Sequence, residues 1–192
     1  SFEAVRCVYD YGNSLYCRYC HSNNLSVRKG IMIYHGFAED QHTMRSYIST
    51  FVDEGFHVFA VDFSGHGKSK GVFYFNQSMD DLLISQVLVT RNKFKEVSYL
   101  NDDEIYQLGH SLGGRAILGA AVKDSSVVGG LVLIGSLANL DSGYYPFNSW
   151  LEELSPTNPA TNISIISSDV EDVIPPGEAI KLFEHLSGTN YS

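Results

Sequence analysis

The sequence predicts an α/β fold with a mostly parallel sheet, and three observations carry that prediction. Short continuous apolar runs alternate with longer segments of helical periodicity, the pattern of strand–helix–strand units. Two alternating segments at the start, flanking Asp10-Tyr11-Gly12-Asn13, read as an antiparallel hairpin. Midway, the run Ile105-Tyr106-Gln107-Leu108 passes through Gly109-His110-Ser111-Leu112-Gly113-Gly114 into a helix-forming stretch, a strand joined to a helix by one tight turn.

Each element follows from its residues. The hairpin strands are expected at 5–9 and 15–19. Ile31-Met32-Ile33-Tyr34 is a strand buried on both faces, ending at His35-Gly36-Phe37. A helix follows over 41–54, with Met44, Tyr47, Ile48 and Phe51 on one side and Gly55 as its stop. Residues 56–61 form the next buried strand, and Asp62-Phe63-Ser64-Gly65-His66-Gly67-Lys68-Ser69 the loop after it. A helix over 79–91, the strand 105–108, a helix over 115–122 and a strand over 127–134 come next. The signal weakens from 135 to 159, where Tyr144, Tyr145, Phe147 and Trp150 stand among glycine, proline and serine. A strand over 163–166, a loop over 167–176 and a helix over 177–186 complete the chain. Right-handed crossovers place the strand C-termini along one edge, where ligand sites lie in such sheets.

Composition bounds the function. The 192 residues are read as one domain, 1–192, large enough for a substantial core. Hydrophobic residues at 44% and charged residues at 18% suit a globular chain. A net charge of −9 with no basic run argues against a nucleic-acid partner, and no stretch is apolar enough to span a bilayer. Cys7, Cys17 and Cys20 make no disulfide framework and read as unrelated strand cysteines. Cys17-Arg18-Tyr19-Cys20-His21 matches the literal haem-attachment pattern, but on a strand positions three apart face opposite sides, so no haem is expected. No organic cofactor or metal is expected. Asn24, Asn76, Asn162 and Asn190 each begin an Asn-x-Ser sequon, the only sign against a cytoplasmic default.

The elbow carries the chemistry. Gly109-His110-Ser111-Leu112-Gly113 has the Gly-x-Ser-x-Gly pattern of a nucleophile elbow, in which the serine sits on a strained turn clear of the sheet. Glycines flank it because strand and helix pass too close for a β-carbon. The following helix offers free N–H groups to developing negative charge.

With these residues in order (Tyr34-His35-Gly36-Phe37, then residues 55–62 with Gly65-His66-Gly67-Lys68-Ser69, then the elbow, then Glu171-Asp172-Val173-Ile174-Pro175-Pro176) the chain resembles the α/β-hydrolase superfamily. Within it the chain is most similar to the monoglyceride lipase, lysophospholipase and serine aminopeptidase group, with little or no lid. The resemblance implies a serine esterase or lipase acting on a small-molecule acyl ester, with an amidase or peptidase using the same residues as the alternative. It makes Ser111 the nucleophile and the backbone N–H groups of Leu112 and Phe37 the oxyanion donors. It also makes Gly65 to Ser69 a structural turn, and puts Tyr144 to Trp150 where relatives carry a lid, as acyl-pocket lining or as ordinary packing.

The same resemblance places Glu171 in the acid position, with Asp172 one residue away and Asp169 and Asp141 as competitors. The histidine is unassigned. His185 alone follows the acid candidates, and it sits in a helix whose dipole accounts for it. The last strand and its histidine are therefore expected from a missing segment or a partner chain, and this 192-residue form is expected to show little activity. The competing reading is a non-catalytic binding module on the same fold.

Overall fold

The computed structural model describes residues 1–10, 13–24, 26–76, 78–124, 128–136, 162–167 and 177–187. Its sheet has seven strands: β1 (Phe2–Asp10), β2 (Asn13–Cys20), β3 (Gly30–Tyr34), β4 (His57–Val61), β5 (Ile105–His110), β6 (Gly130–Ile134) and β7 (Asn162–Ile166). They lie in the order β1-β2-β4-β3-β5-β6-β7. The first pair is an antiparallel hairpin with Val5 opposite Cys17, and β2 runs antiparallel to β4. From β4 to β7 every pairing is parallel. This is the architecture that the α/β-hydrolase resemblance implies.

Strand β3 sits between β4 and β5, so the chain winds outward on one side and then crosses back to the other. That reversal opens a crevice at the C-terminal ends of β3 and β5, the position where doubly wound sheets bind ligands. The His35-Gly36-Phe37 turn and Ser111 both emerge there.

Side-chain alternation sorts the core onto two faces. Met32, Tyr34, Phe59 and Val61 point to the side covered by α2 (Met79–Ser98) and α3 (Leu112–Lys123), with Leu83, Val87, Phe94 and Ile117. Ile31, Ile33, Val58 and Ala60 point to the other side, with Met44 and Ile48 on and beside α1 (Arg45–Asp53). Strands β3 and β4 are buried throughout, as their unbroken apolar runs imply.

Several boundaries differ from expectation. The α1 helix begins at Arg45 because residues 41–44 form a turn, and Tyr47 is exposed rather than inward. Helix α2 runs past Arg91 to Ser98, because Phe94 and Ser98 continue its buried stripe, and it ends on left-handed Tyr99. Strand β7 begins one residue earlier, at Asn162, and alternates exposed and half-buried residues. Helix α4 spans Gly177–Ser187. No helix among the described residues is long and apolar enough to cross a membrane. The aromatic stretch 144–150 lies outside the described residues, as do Asp141, Asp169, Glu171 and Asp172.

Candidate active site

Ser111 caps α3 with φ 50° and ψ −113°, a left-handed conformation that a serine adopts only under constraint. Such strain costs about 1–3 kcal/mol and must be held by its surroundings. Here the Ser111 N–H donates to the Ile134 carbonyl at 2.8 Å, and the Ser111 carbonyl accepts the Arg115 N–H at 3.1 Å. The glycines permit the rest. A β-carbon on Gly109 would lie 2.4 Å from the backbone of Gly113, and one on Gly113 would lie 2.5 Å from the Tyr34 carbonyl oxygen. Strand, helix and the end of β3 therefore meet with no room for side chains. The Ser111 hydroxyl makes no hydrogen bond among the described residues.

The second loop is held by histidines. His35 is fully buried, and its Nε2 accepts the Phe63 N–H at 3.0 Å, so Nδ1 carries the proton and donates to the Gly36 carbonyl at 2.7 Å. Burial pulls its pKa down, against the pull of that carbonyl, which keeps the ring neutral. The Ala38 N–H, at φ 58°, donates to His66 Nε2, while His66 Nδ1 bonds the Ser64 carbonyl. Neither the Phe37 N–H nor the Leu112 N–H has a hydrogen-bond acceptor among the described residues. The Leu112 N–H opens α3, at the positive end of its dipole.

One carboxylate joins the two loops. Glu39 Oε2 accepts the Gly36 N–H at 2.7 Å and lies 3.0 Å from Nδ1 of His110, the residue before the serine. Burial works upward on this carboxyl, but the bonds from His110 and Gly36 outweigh it and hold the pKa below the usual glutamate range. Sequence reasoning missed Glu39. A carboxylate three residues after Gly36, in a turn with exposed N–H groups, was the available signal.

The Gly65 to Ser69 turn is structural. Asp62 accepts the N–H groups of Gln41 and Lys68 on its two oxygens, and Ser69 Oγ donates to the Asp62 carbonyl. A β-carbon on Gly67 would collide with the Asp62 carboxylate, so the loop closes on that side chain.

The histidines of the described residues do not bond Ser111. His21, His35, His57, His66 and His110 each have other partners, and His42 is exposed with no bond to Ser111. His185 lies on α4, its side chain outside the described residues. Cys17 and Cys20 belong to opposite faces of the sheet, which removes the haem-attachment pattern.

Comparison with known proteins agrees with the fold described above. The family described as serine aminopeptidase, S33, matches residues 26–173. The fold superposes on an esterase of Pyrococcus furiosus, Pf2001, with a TM-score of 0.77 at 17% identity, covering 99% of this chain and 79% of that one. A predicted CIB-like hydrolase from Thermoplasma acidophilum gives a TM-score of 0.74 at 13% identity, covering 100% and 86%. An esterase from Exiguobacterium antarcticum gives 0.60 at 20% identity, covering 79% and 53%. No curated protein matches the sequence.

Proposed function

This chain belongs to the serine aminopeptidase, S33, family of α/β hydrolases, and from that premise we propose that it is a serine hydrolase of the carboxylesterase or lipase type, forming an acyl-enzyme on Ser111. The observation that carries the reading is the backbone of Ser111, held left-handed between a strand end and a helix start with no room for a neighbouring side chain. Strain of this kind is retained where it aims a group at a substrate.

In the proposed reaction the Ser111 oxygen attacks the ester carbonyl, and the new oxyanion lies against the N–H groups of Leu112 and Phe37. The serine proton passes to a histidine and on to the departing alcohol, after which water releases the acid. Glu171, or Asp172 beside it, is the acid that orients that histidine. The base in this reading is a histidine outside the described side chains, since no described histidine bonds Ser111. The substrate is a small or medium acyl ester. No metal or organic cofactor takes part in this scheme.

The test is labelling by a fluorophosphonate probe together with turnover of p-nitrophenyl butyrate and octanoate, using the intact protein and its Ser111→Ala variant. Labelling and turnover that disappear in the variant support the proposal. Turnover of aminoacyl-naphthylamides above esters would move it to the peptidase side of the family. Absence of labelling would favour a non-catalytic recognition module.

A further inference from the structure

Two of the three cysteines meet in a way their spacing does not reveal. In the hairpin register Val5 faces Cys17 and Cys7 faces Leu15, so Cys7 and Cys17 are diagonal neighbours on one face. Their sulfur atoms lie 3.3 Å apart, and both side chains are buried in the same core cluster. Cys20 packs on the opposite face with Ile31 and Val58, out of competition. Bringing the sulfurs to bonding distance closes a gap of about 1.3 Å.

We propose that Cys7 and Cys17 are a modification site: an intramolecular disulfide that staples β1 to β2 when the protein meets an oxidising thiol buffer. The balance is that of thiol–disulfide exchange. Two S–H bonds are lost and one S–S bond forms, while glutathione disulfide takes up both electrons and both protons and leaves as two glutathione thiols. Burial pushes the Cys17 thiol up, with its contact to Cys7 adding to the effect, so exchange is slow while the hairpin is closed. Strand β1 is an edge strand whose outward residues are mostly exposed, and its peeling from β2 frees Cys7 for attack.

The staple bears on the candidate site through one layer of hydrogen bonds. The Tyr16 carbonyl accepts the Asp62 N–H, Ser69 Oγ accepts the Tyr16 N–H, and the Ser14 carbonyl accepts the Lys70 N–H. The loop so attached carries His66, which holds the Ala38 N–H beside the candidate oxyanion donor. A stapled hairpin gives that loop a firmer support.

The experiment equilibrates the intact protein with reduced glutathione alone or with glutathione disulfide in mild urea, which allows edge opening. Titratable thiols after denaturation, intact mass and peptide mapping are then read. The expected result with glutathione disulfide is one remaining thiol, a mass lower by two hydrogens and a mapped Cys7–Cys17 link. The melting temperature should rise by roughly 5–10 °C on closing so short a loop. Cys20→Ala should keep the rise and Cys7→Ser should lose it. Three persisting thiols, a link through Cys20, or a bridge between chains would each overturn the proposal, and the wild-type mapping decides the matter even if a variant misfolds.

Discussion

Glu39 and His110 stand 71 positions apart in the chain, yet Glu39 Oε2 lies 3.0 Å from His110 Nδ1 while also taking the Gly36 N–H. One carboxylate oxygen thus ties the turn after β3 to the elbow after β5, the two segments that carry the candidate oxyanion donors. Glu39→Ala should lower stability by about 1–2 kcal/mol. It should slow fluorophosphonate labelling of Ser111 by about tenfold or more, because both donors lose their common anchor. Glu39→Gln, which keeps an acceptor for the Gly36 N–H, should recover part of the rate. Unchanged labelling in Glu39→Ala would sink the clamp.

Ser111 should trade stability for position. Its φ of 50° is costly for a serine and free for a glycine. Ser111→Gly is expected to raise unfolding free energy by about 1 kcal/mol while removing all covalent labelling. Chemical denaturation of the two proteins measures this, and a variant less stable than the parent would contradict the strain.

Gly113→Ala should be among the most damaging single-methyl changes. The added carbon would lie 2.5 Å from the Tyr34 carbonyl oxygen and 2.7 Å from that of His35, backbone atoms that cannot swing aside. A loss of about 3 kcal/mol or more is expected, or failure to fold. A soluble variant with wild-type melting would refute the close approach.

Helices α2 and α3 are joined by a fully buried pair in which Arg115 donates to both Asp80 oxygens, at 2.9 and 2.8 Å. Asp80→Ala leaves a buried guanidinium without its main partner and should cost about 3–5 kcal/mol. Asp80→Leu combined with Arg115→Met should cost much less than the sum of the single changes. A double-mutant cycle showing additivity would mean that the pair is not coupled.

His35 and His57 are held neutral mainly by burial, with pKa values below the ordinary 6.5. The unfolded chain binds protons near that pH that the folded chain does not. Stability is therefore full above about pH 6.5 and falls as pH drops through 6.5 toward the folded values. Thermal melts at pH 7.5 and 5.5 should show the lower midpoint at pH 5.5, and His57→Gln should remove part of the difference. A flat profile across this window would count against buried neutral rings.

What the residue string determined by itself is what local geometry demands of residue type. Gly109 and Gly113 around Ser111, the unbroken apolar runs of β3 and β4, and Gly55 with φ 82° after α1 were all legible, because each is a backbone requirement that few residues meet. Helix ends were less so. Asn92 and Lys93 face outward on α2, and their polarity hides the buried stripe that carries the helix on to Ser98. The pairings were decided only by the tertiary structure: Glu39 with His110, Arg115 with Asp80, and Cys7 with Cys17. Each joins side chains on different elements, and their meeting depends on strand order, register and the face that each element turns inward. Those are set by burying the whole core at once, a condition that no local stretch of sequence contains.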